Sequence, residues 1–162
     1  MSEKILSREQ LLRQVAEWRR AGESIIFANG CFDLLHVGHV RYLRAAKALG
    51  GKLVVGINAD SSVRQLKGKG RPLMPEDERA EILAALEVVD AVTVFPETDV
   101  SALLRAVRPD VQAKGTDYTA DTVPERQVAI DCGGRVAIVG DPKDHSATEL
   151  VRRLREKEEG CS

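Results

Sequence analysis

Residues 24–39 read SIIFANGCFDLLHVGH, an apolar run that leads through a polar turn into a segment with helical spacing. The run from Ser24 to Ala28 is short, apolar and partly β-branched, which predicts a strand covered on both faces. The spacing after it predicts a helix from about Gly38 to Leu49, ended by a pair of glycines. A strand that feeds directly into a helix is typical of a βαβ unit, so this stretch predicts a parallel sheet.

Four further apolar runs carry the same signal, at residues 52–57, 91–95, 110–113 and 135–139. Helical patterns lie around them, with helix starts predicted near Ser7, Gly38, Pro75, Asp99 or Ser101, Pro124 and Ser146. We therefore predict the α/β class, as a Rossmann-like, doubly wound, five-stranded parallel sheet in a single domain with an N-terminal helix. The predicted organisation is this helix over 1–22, the main domain over 23–157 and a flexible tail over 158–162.

The composition excludes several classes of protein. Of the 162 residues, 43% are hydrophobic and 30% are charged, which is typical of a soluble domain that buries a core. The net charge of −1 provides no basic field for nucleic acid, and no apolar run is long enough to span a membrane. The first ten residues are too polar and acidic for a signal peptide, so we expect a cytoplasmic protein with three reduced cysteines.

The loops that follow the strands are the candidate functional segments, because open parallel sheets bind ligands at the carboxyl ends of their strands. These loops cover residues 29–37, 58–74, 114–123 and 140–145. The first leads directly into a helix, whose free N–H groups and dipole favour a phosphate. His36 and His39 flank that helix start with Gly38 between them, and two imidazoles there can donate hydrogen bonds to phosphoryl oxygens.

Other interpretations of these residues stay open at this point. An HxxH pair taken alone is more often structural, or part of a helix cap, than a ligand site. A zinc site would need a third ligand at suitable spacing, and the chain contains neither GxGxxG nor GxxxxGK[ST]. No base is placed to activate Cys31, so a small core thiol is a better interpretation of that residue than a nucleophile.

The full string from Asn29 to His39 is more specific than its parts. It resembles the signature of the nucleotidyltransferases that carry HxGH after the first strand, and residues 27–154 resemble the cytidylyltransferase-like branch of that superfamily. Within this branch, Asn29-Gly30-Cys31-Phe32-Asp33 and Lys114-Gly115-Thr116-Asp117-Tyr118 are similar to the adenylyltransferases of D-glycero-β-D-manno-heptose 1-phosphate. The glycerol-3-phosphate cytidylyltransferases carry an arginine-containing run before the last helix, which this chain lacks.

The resemblance implies that AMP is transferred from ATP to the sugar 1-phosphate, with Mg²⁺, and that pyrophosphate is released. The acceptor phosphate is already an anion, so the protein needs no general base and instead positions and neutralises two polyanions. The catalytic residues that the resemblance implies are His36, His39, Lys67 and Arg71. The implied nucleotide contacts are Cys31, Phe32, Gly38, Lys69, Lys114, Gly115, Asp117, Ser146 and Thr148, and the implied substrate contacts are Asn29, Asp33, Asp60 and Arg79.

Several of these residues also have a structural interpretation. Asp33 could orient a histidine, help to bind Mg²⁺ or cap its own turn. Arg79 could have no role beyond an ion pair with Glu76 or Asp77, its neighbours in the same helix. The basic segment at residues 67–71 could be a solvated loop.

Two departures from the family pattern leave the substrates open. Ala147 stands where the family has a hydroxyl residue, and Thr116 stands where it has glycine. The alternatives are a glycerol-3-phosphate cytidylyltransferase-like enzyme that uses CTP, and a non-catalytic nucleotide-binding protein. The resemblance also implies a homodimer, in which the helix with Trp18 covers the sheet or faces the partner chain, and a separate sugar kinase upstream.

Overall fold

The computed structural model describes residues 2–142 and 144–161, within which five strands form one parallel sheet. The strands are β1 (Ile25–Gly30), β2 (Lys52–Asn58), β3 (Ala91–Phe95), β4 (Val111–Lys114) and β5 (Arg135–Ile138). They lie side by side in the order β3-β2-β1-β4-β5. The predicted α/β class and the five-stranded parallel sheet are confirmed.

The described residues also contain seven helices. They are α1 (Arg8–Arg20), α2 (Val37–Lys47), α3 (Asp60–Lys67), α4 (Glu76–Ala84), α5 (Ser101–Val107), α6 (Arg126–Asp131) and α7 (Ala147–Gly160). The helix starts follow their caps: Ser7 and Gln10 form a reciprocal capping box at α1, and the Ser146 hydroxyl accepts the Glu149 N–H at α7. None of the helices in the described ranges has the length and apolar character that a membrane span requires.

The structure differs from the sequence-based expectation at two helices. Residues 60–67 form α3 where the sequence predicts a loop, because only Ser62 and Val63 of this helix are buried and the apolar pattern is too sparse to reveal it. Helix α7 continues to Gly160, so that residues 158–160, expected in a flexible tail, are helical. Ser162, at the end of that expected tail, lies outside the described residues.

Two apolar layers cover the sheet. On one face, Leu43 of α2 and Leu83 of α4 pack with Ala28 of β1. On the other face, Leu11 of α1 and Leu104 of α5 pack with Phe27. Because successive side chains of β1 belong to opposite layers, the direction of each side chain at the end of the strand follows from its position.

The strand order fixes where a ligand site can form. From β1 the chain moves outward through β2 to β3, and α5 then returns it to β4, on the other side of β1. The carboxyl ends of β1 and β4 are therefore neighbours whose following loops diverge toward opposite sides of the sheet. A crevice opens at such a switch point in doubly wound sheets.

Candidate active site

A cleft of about 500 Å³ lies at this switch point, a volume typical of small-molecule sites. The loops after β1, β4 and β5 and the first residues of α7 line it, together with Lys67 and Arg71 from the loop after β2. Of the residues that the sequence predicts for the site, those that line the cleft are Asn29, Cys31, Phe32, Asp33, His36, Gly38, His39, Lys67, Arg71, Lys114, Gly115, Asp117, Ser146 and Thr148. Lys69, Asp60 and Arg79 are not among its lining residues.

His36 and His39 lie together at the start of α2. Their rings are stacked, with centroids 3.8 Å apart and planes 25° apart. His36 is also the N-cap of α2, and its Nδ1 accepts the Gly38 N–H at 3.1 Å. The Nδ1 of His39 accepts the His36 N–H at 3.3 Å. An imidazole that accepts at Nδ1 carries its proton on Nε2, so both rings present an Nε2–H donor.

This arrangement corrects the expected role of the Gly38 backbone. The sequence predicts that the N–H groups at the start of α2 are free to bind phosphate, but the Gly38 N–H is already donated to His36. The N–H groups of His39 and Val40 are donated to the His36 carbonyl, at 3.0 and 3.3 Å. These three N–H groups are therefore used within the helix start, and a contact of the Gly38 backbone with the nucleotide stays a prediction.

A third histidine, His145, lies beside the first two, and no local sequence pattern indicates it. Its ring centroid is 6.4 Å from that of His36. A Cβ added to Gly38 would lie 3.4 Å from the His145 Cβ and 2.9 Å from two atoms of the His36 ring. An alanine at position 38 would therefore displace the His36 ring, whereas it would only touch His145. We call His36, His39 and His145 the histidine cluster.

The Phe32 ring packs between His39 of the histidine cluster and Tyr42. Phe32 adopts φ = 48°, and its buried ring lies 5.1 Å from His39 and 6.5 Å from Tyr42, centroid to centroid. The Tyr42 hydroxyl donates to the Ala113 carbonyl at 2.6 Å, which ties α2 to β4. Burial raises the pKa of Tyr42, so its hydroxyl remains a donor.

Asp33 holds the loop after α3 against the loop after β1. Its Oδ1 accepts the N–H groups of Leu73 and Met74, at 2.7 and 3.0 Å, and its Oδ2 accepts from Arg71 Nη1 at 2.9 Å. Burial opposes ionisation of Asp33, but these hydrogen bonds outweigh it and lower the pKa of the carboxyl. Both oxygens have protein donors, which supports a positioning role for Asp33 rather than the predicted contact with substrate.

Arg79 and Asp60 pair with each other and do not line the cleft, so their predicted contact with substrate gains no support from this geometry. Arg79 is 1% exposed. Its guanidinium donates to the carbonyls of Cys31, Asn58 and Met74 at 2.6–3.0 Å, and to Asp60 Oδ1 at 2.7 Å. The predicted pairing with Glu76 or Asp77 is replaced by this pairing with Asp60, because the side chain points under the strand ends rather than along its own helix.

Of the three basic residues predicted between residues 67 and 71, two line the cleft and one does not. Lys67 ends α3 and lines the cleft, as does Arg71, which uses one of its five N–H groups on Asp33. Lys69 is exposed and lies outside the cleft lining, so its predicted contact with the nucleotide has no support in this geometry. Lys67 and Arg71 add positive charge to the cleft that the histidine cluster also lines.

Lys114, at the end of β4, is only 8% exposed. Its Nζ lies 5.0 Å from the centre of the Tyr118 ring and 4.0 Å from Glu125 Oε2. Glu125, the N-cap of α6, also lines the cleft, although it is not among the residues that the sequence predicts. A contact between residues in different elements leaves no signal in local spacing, which explains why the sequence does not reveal Glu125.

The remaining predicted residues lie at the rim of the cleft. Cys31 Sγ lies 3.7 Å from Asn58 Oδ1, and burial raises the pKa of the thiol, which supports the interpretation of Cys31 as an unreactive thiol.

Ser146 lines the cleft while its hydroxyl caps α7. Thr116 donates to the Asp141 carbonyl at 2.7 Å, so the hydroxyl that departs from the family pattern joins the loops after β4 and β5.

No group of three or more His, Cys, Asp or Glu side chains in the described ranges has the arrangement of a metal centre. Mg²⁺ usually keeps several waters and takes one or two carboxylates together with substrate phosphates. Such an ion belongs with a bound polyphosphate, as part of the substrate.

Comparison with known proteins gives matches over most of the chain. The family model described as cytidylyltransferase-like matches residues 27–153. The bifunctional protein HldE of Methylobacillus flagellatus is 48% identical over 94% of this chain and 31% of its own length. HldE of Syntrophotalea carbinolica is 46% identical over 96% of this chain and 32% of its own length. The chain thus spans about a third of the length of these relatives.

A solved structure shares the fold. The lipopolysaccharide core biosynthesis protein from Thermoplasma volcanium superposes with a TM-score of 0.66 and 31% sequence identity. The match covers 75% of this chain and the whole of that protein.

Proposed function

Because the chain belongs to the cytidylyltransferase-like family of nucleotidyltransferases, we propose that it transfers AMP from ATP to D-glycero-β-D-manno-heptose 1-phosphate, with release of pyrophosphate and formation of ADP-heptose. The observation that carries this proposal is the pair of backbone-oriented Nε2–H donors at the switch-point cleft. The similarity to HldE proteins and to a lipopolysaccharide core biosynthesis protein supports the choice of acceptor.

The reaction is an in-line displacement at the α-phosphorus. An oxygen of the acceptor phosphate forms the new bond to this atom as the bond to the β-phosphate bridging oxygen breaks, and the electron pair leaves with pyrophosphate. Negative charge grows on the leaving group and on the equatorial oxygens. His36 and His39 donate hydrogen bonds to these oxygens from the start of α2, and Lys67 and Arg71 neutralise the pyrophosphate.

Positioning supplies the rest of the rate enhancement. The nucleophile needs no activation, so the protein has only to hold two anions in line against their mutual repulsion. Buried hydrogen bonds hold the residues that position the two anions. Arg79 fixes the ends of β1 and β2, and Asp33 fixes the loop that carries Arg71. Mg²⁺ enters with ATP and reduces the charge of the triphosphate.

A substrate panel tests the proposal. The purified protein is assayed for pyrophosphate release with ATP or CTP, each with heptose 1-phosphate or glycerol 3-phosphate, in the presence of Mg²⁺. We expect turnover with ATP and heptose 1-phosphate. Turnover confined to CTP and glycerol 3-phosphate would replace the proposed substrates, and nucleotide binding without pyrophosphate release from any pair would identify a non-catalytic binding protein.

The setting of the reaction follows from the same resemblance. We propose a cytoplasmic homodimer, with the sugar 1-phosphate made by a separate kinase. Light scattering coupled to size-exclusion chromatography tests the dimer, for which a mass of twice 17.7 kDa is expected.

A further inference from the structure

Two oxygen atoms in the cleft lie buried with no hydrogen-bond donor in the described ranges. They are Asn29 Oδ1 and Glu125 Oε2, and each has less than 1 Å² of accessible surface. Buried acceptors in proteins are almost always paired, and an unpaired one marks a place where a ligand or a bound water completes the bonding. Both residues line the cleft, so the two oxygens lie next to the space that a ligand would fill.

These two oxygens belong to one cluster around Lys114. Ala28 of β1 pairs with Ala113 of β4, so Asn29 stands level with Lys114. Glu125 Oε2 lies 4.0 Å from Lys114 Nζ, which is close enough for attraction between the charges but too far for a hydrogen bond. We call Asn29, Lys114 and Glu125 the strand-end cluster.

The strand-end cluster lies on the other side of the sheet from the histidine cluster. Ala28 packs in the layer of α2, whereas Phe27 packs in the layer of α1 and α5. Side chains alternate along a strand, so Asn29 lies on the same face of the sheet as Phe27. Gln112 pairs with Phe27, and Lys114, two residues further along β4, lies on this face as well. The imidazoles at the start of α2 and the strand-end cluster therefore face the cleft from opposite sides, as two reacting ligands require.

The chemistry of the cluster selects the groups that it binds. It offers two unpaired acceptor oxygens and one ammonium donor, whose distance of 4.0 Å from Glu125 Oε2 leaves that carboxylate oxygen without a hydrogen bond. A hydroxyl group can donate to a carboxylate and accept from an ammonium at the same time. Adjacent hydroxyls on one sugar ring can satisfy the cluster, whereas a phosphate would be repelled by Glu125.

We propose that Glu125, together with Asn29 and Lys114, binds adjacent hydroxyl groups of the acceptor and makes the enzyme selective for polyhydroxylated acceptors; this inference rests on the function proposed above. Glu125 is then a specificity residue for the acceptor. It contributes to the binding of the sugar and not to the binding of ATP.

The test compares E125Q and E125A with wild type in steady-state pyrophosphate release, and uses E81Q, a change at an exposed glutamate of α4, as the matched control. Loss of a hydrogen bond to a buried charged group corresponds to about a 10- to 100-fold change, so we expect E125A to raise KM for heptose 1-phosphate by that factor. We expect E125Q to have a smaller effect of the same kind. KM for ATP and the affinity for ATP measured by calorimetry should stay within about twofold of wild type for all three variants.

A second substrate identifies the contact. A deoxy analogue of the sugar 1-phosphate that lacks one ring hydroxyl should be a poorer substrate for wild type, but E125A should not distinguish it from the parent sugar if Glu125 binds that hydroxyl. Analogues that lack each hydroxyl in turn are compared. Circular dichroism of E125Q and E125A checks that each variant is folded.

Four results would overturn the inference. They are an unchanged acceptor KM in folded E125Q and E125A, a rise in KM for ATP instead, equal discrimination of every deoxy analogue by wild type and E125A, and a failure of both variants to fold. The second would place Glu125 at ATP, on its adjacent ribose hydroxyls or its nucleobase amino group, and the fourth would assign it to the stability of the fold. Inactivity of wild type with every sugar phosphate is a different result, which would refute the proposed function itself.

Discussion

At the scale of single residues, the site depends on side chains whose orientation is set by backbone N–H groups. His36 and His39 each accept one N–H at Nδ1, so in the neutral rings the proton lies on Nε2, the atom proposed to donate to phosphate. His36 has a second role, because it caps α2. A mutation of His36 therefore affects both the chemistry and the helix, and the two effects can be separated.

We predict that His36→Ala lowers turnover by on the order of 10² to 10³, the usual cost of losing one well-placed donor to a developing oxyanion. The lost cap should cost about 1 kcal/mol of unfolding free energy. His36→Asn retains a side-chain oxygen that can cap the helix, so we expect it to recover the stability but not the turnover. Urea unfolding and pyrophosphate release of both variants provide the check, and a loss of turnover that follows the loss of stability in both would contradict the phosphate contact.

Asp33 makes the stability of the fold depend on pH. Its pKa is lowered in the folded state, so its stabilising contribution is complete above the ordinary carboxyl value of about 3.9 and is lost as the pH falls through the lower folded value. We predict that wild type is more stable than Asp33→Asn at pH 6 and that this difference shrinks below pH 4. Urea unfolding at a series of pH values measures it, and a difference independent of pH would show that the charge of Asp33 does not stabilise the loop.

At the scale of elements, the start of α2 has no room for an additional side chain. A Cβ at Gly38 would meet the His36 ring at 2.9 Å, whereas a Cβ at Gly160, near the end of α7, would meet nothing within 4 Å. Alanine raises helix stability relative to glycine by about 0.5–1 kcal/mol. Both glycines lie in a terminal turn of a helix, and only the substitution at Gly38 reaches the site.

We predict that Gly38→Ala lowers turnover by about 10- to 100-fold without lowering the melting temperature, because it displaces the His36 ring from its position. Gly160→Ala is the control and should retain full turnover. Equal activity in the two variants would show that the approach of His36 to the helix start is not needed for catalysis.

Arg79 joins three elements from beneath the cleft, through the carbonyls after β1, β2 and before α4. Its removal would leave these carbonyls and Asp60 without a donor. We predict that Arg79→Ala lowers the unfolding free energy by about 3–5 kcal/mol, as expected for one partner of a buried ion pair. Arg64→Ala, on the exposed side of α3, should stay within about 0.5 kcal/mol of wild type in the same urea titration. A similar small loss for both would mean that Arg79 is replaceable by water.

At the scale of the whole molecule, the sheet and the ligand site differ in how firmly they are held. The central strands β1 and β2 are almost entirely buried, whereas α7 contains no buried residue. We predict slow amide exchange in β1 and β2, fast exchange in α7, and a slowing at residues 31–40 and 144–148 when ATP and Mg²⁺ are added. Exchange measured by mass spectrometry tests this, and no protection at either segment would place the nucleotide elsewhere.

The sequence predicts the strands and helices of this molecule better than the side-chain contacts between them. Strands and caps are local patterns, so the five strands and the cap of α1 are found in the expected places. Helix α3 is short and contains only two apolar residues, Val63 and Leu66, which is too few for a helix to be predicted. His145 and Glu125 come into the site only through folding, since each lies far along the chain from His36, and Arg79 could not be assigned from a pattern that does not show which carbonyls surround it.

The strand order places the histidines and the residues proposed to bind the acceptor in different connections of the chain. The imidazole pair comes from the β1-to-α2 connection, whereas Lys114 and Glu125 come from the β4-to-α6 connection, which the chain reaches only after crossing the sheet. With the acceptor contacts proposed above, exchange of Glu125 between relatives would change which acceptor is used and leave His36 and His39 unchanged. Gly115 and Asp117 of the same connection are predicted nucleotide contacts, so they stay as they are in such an exchange.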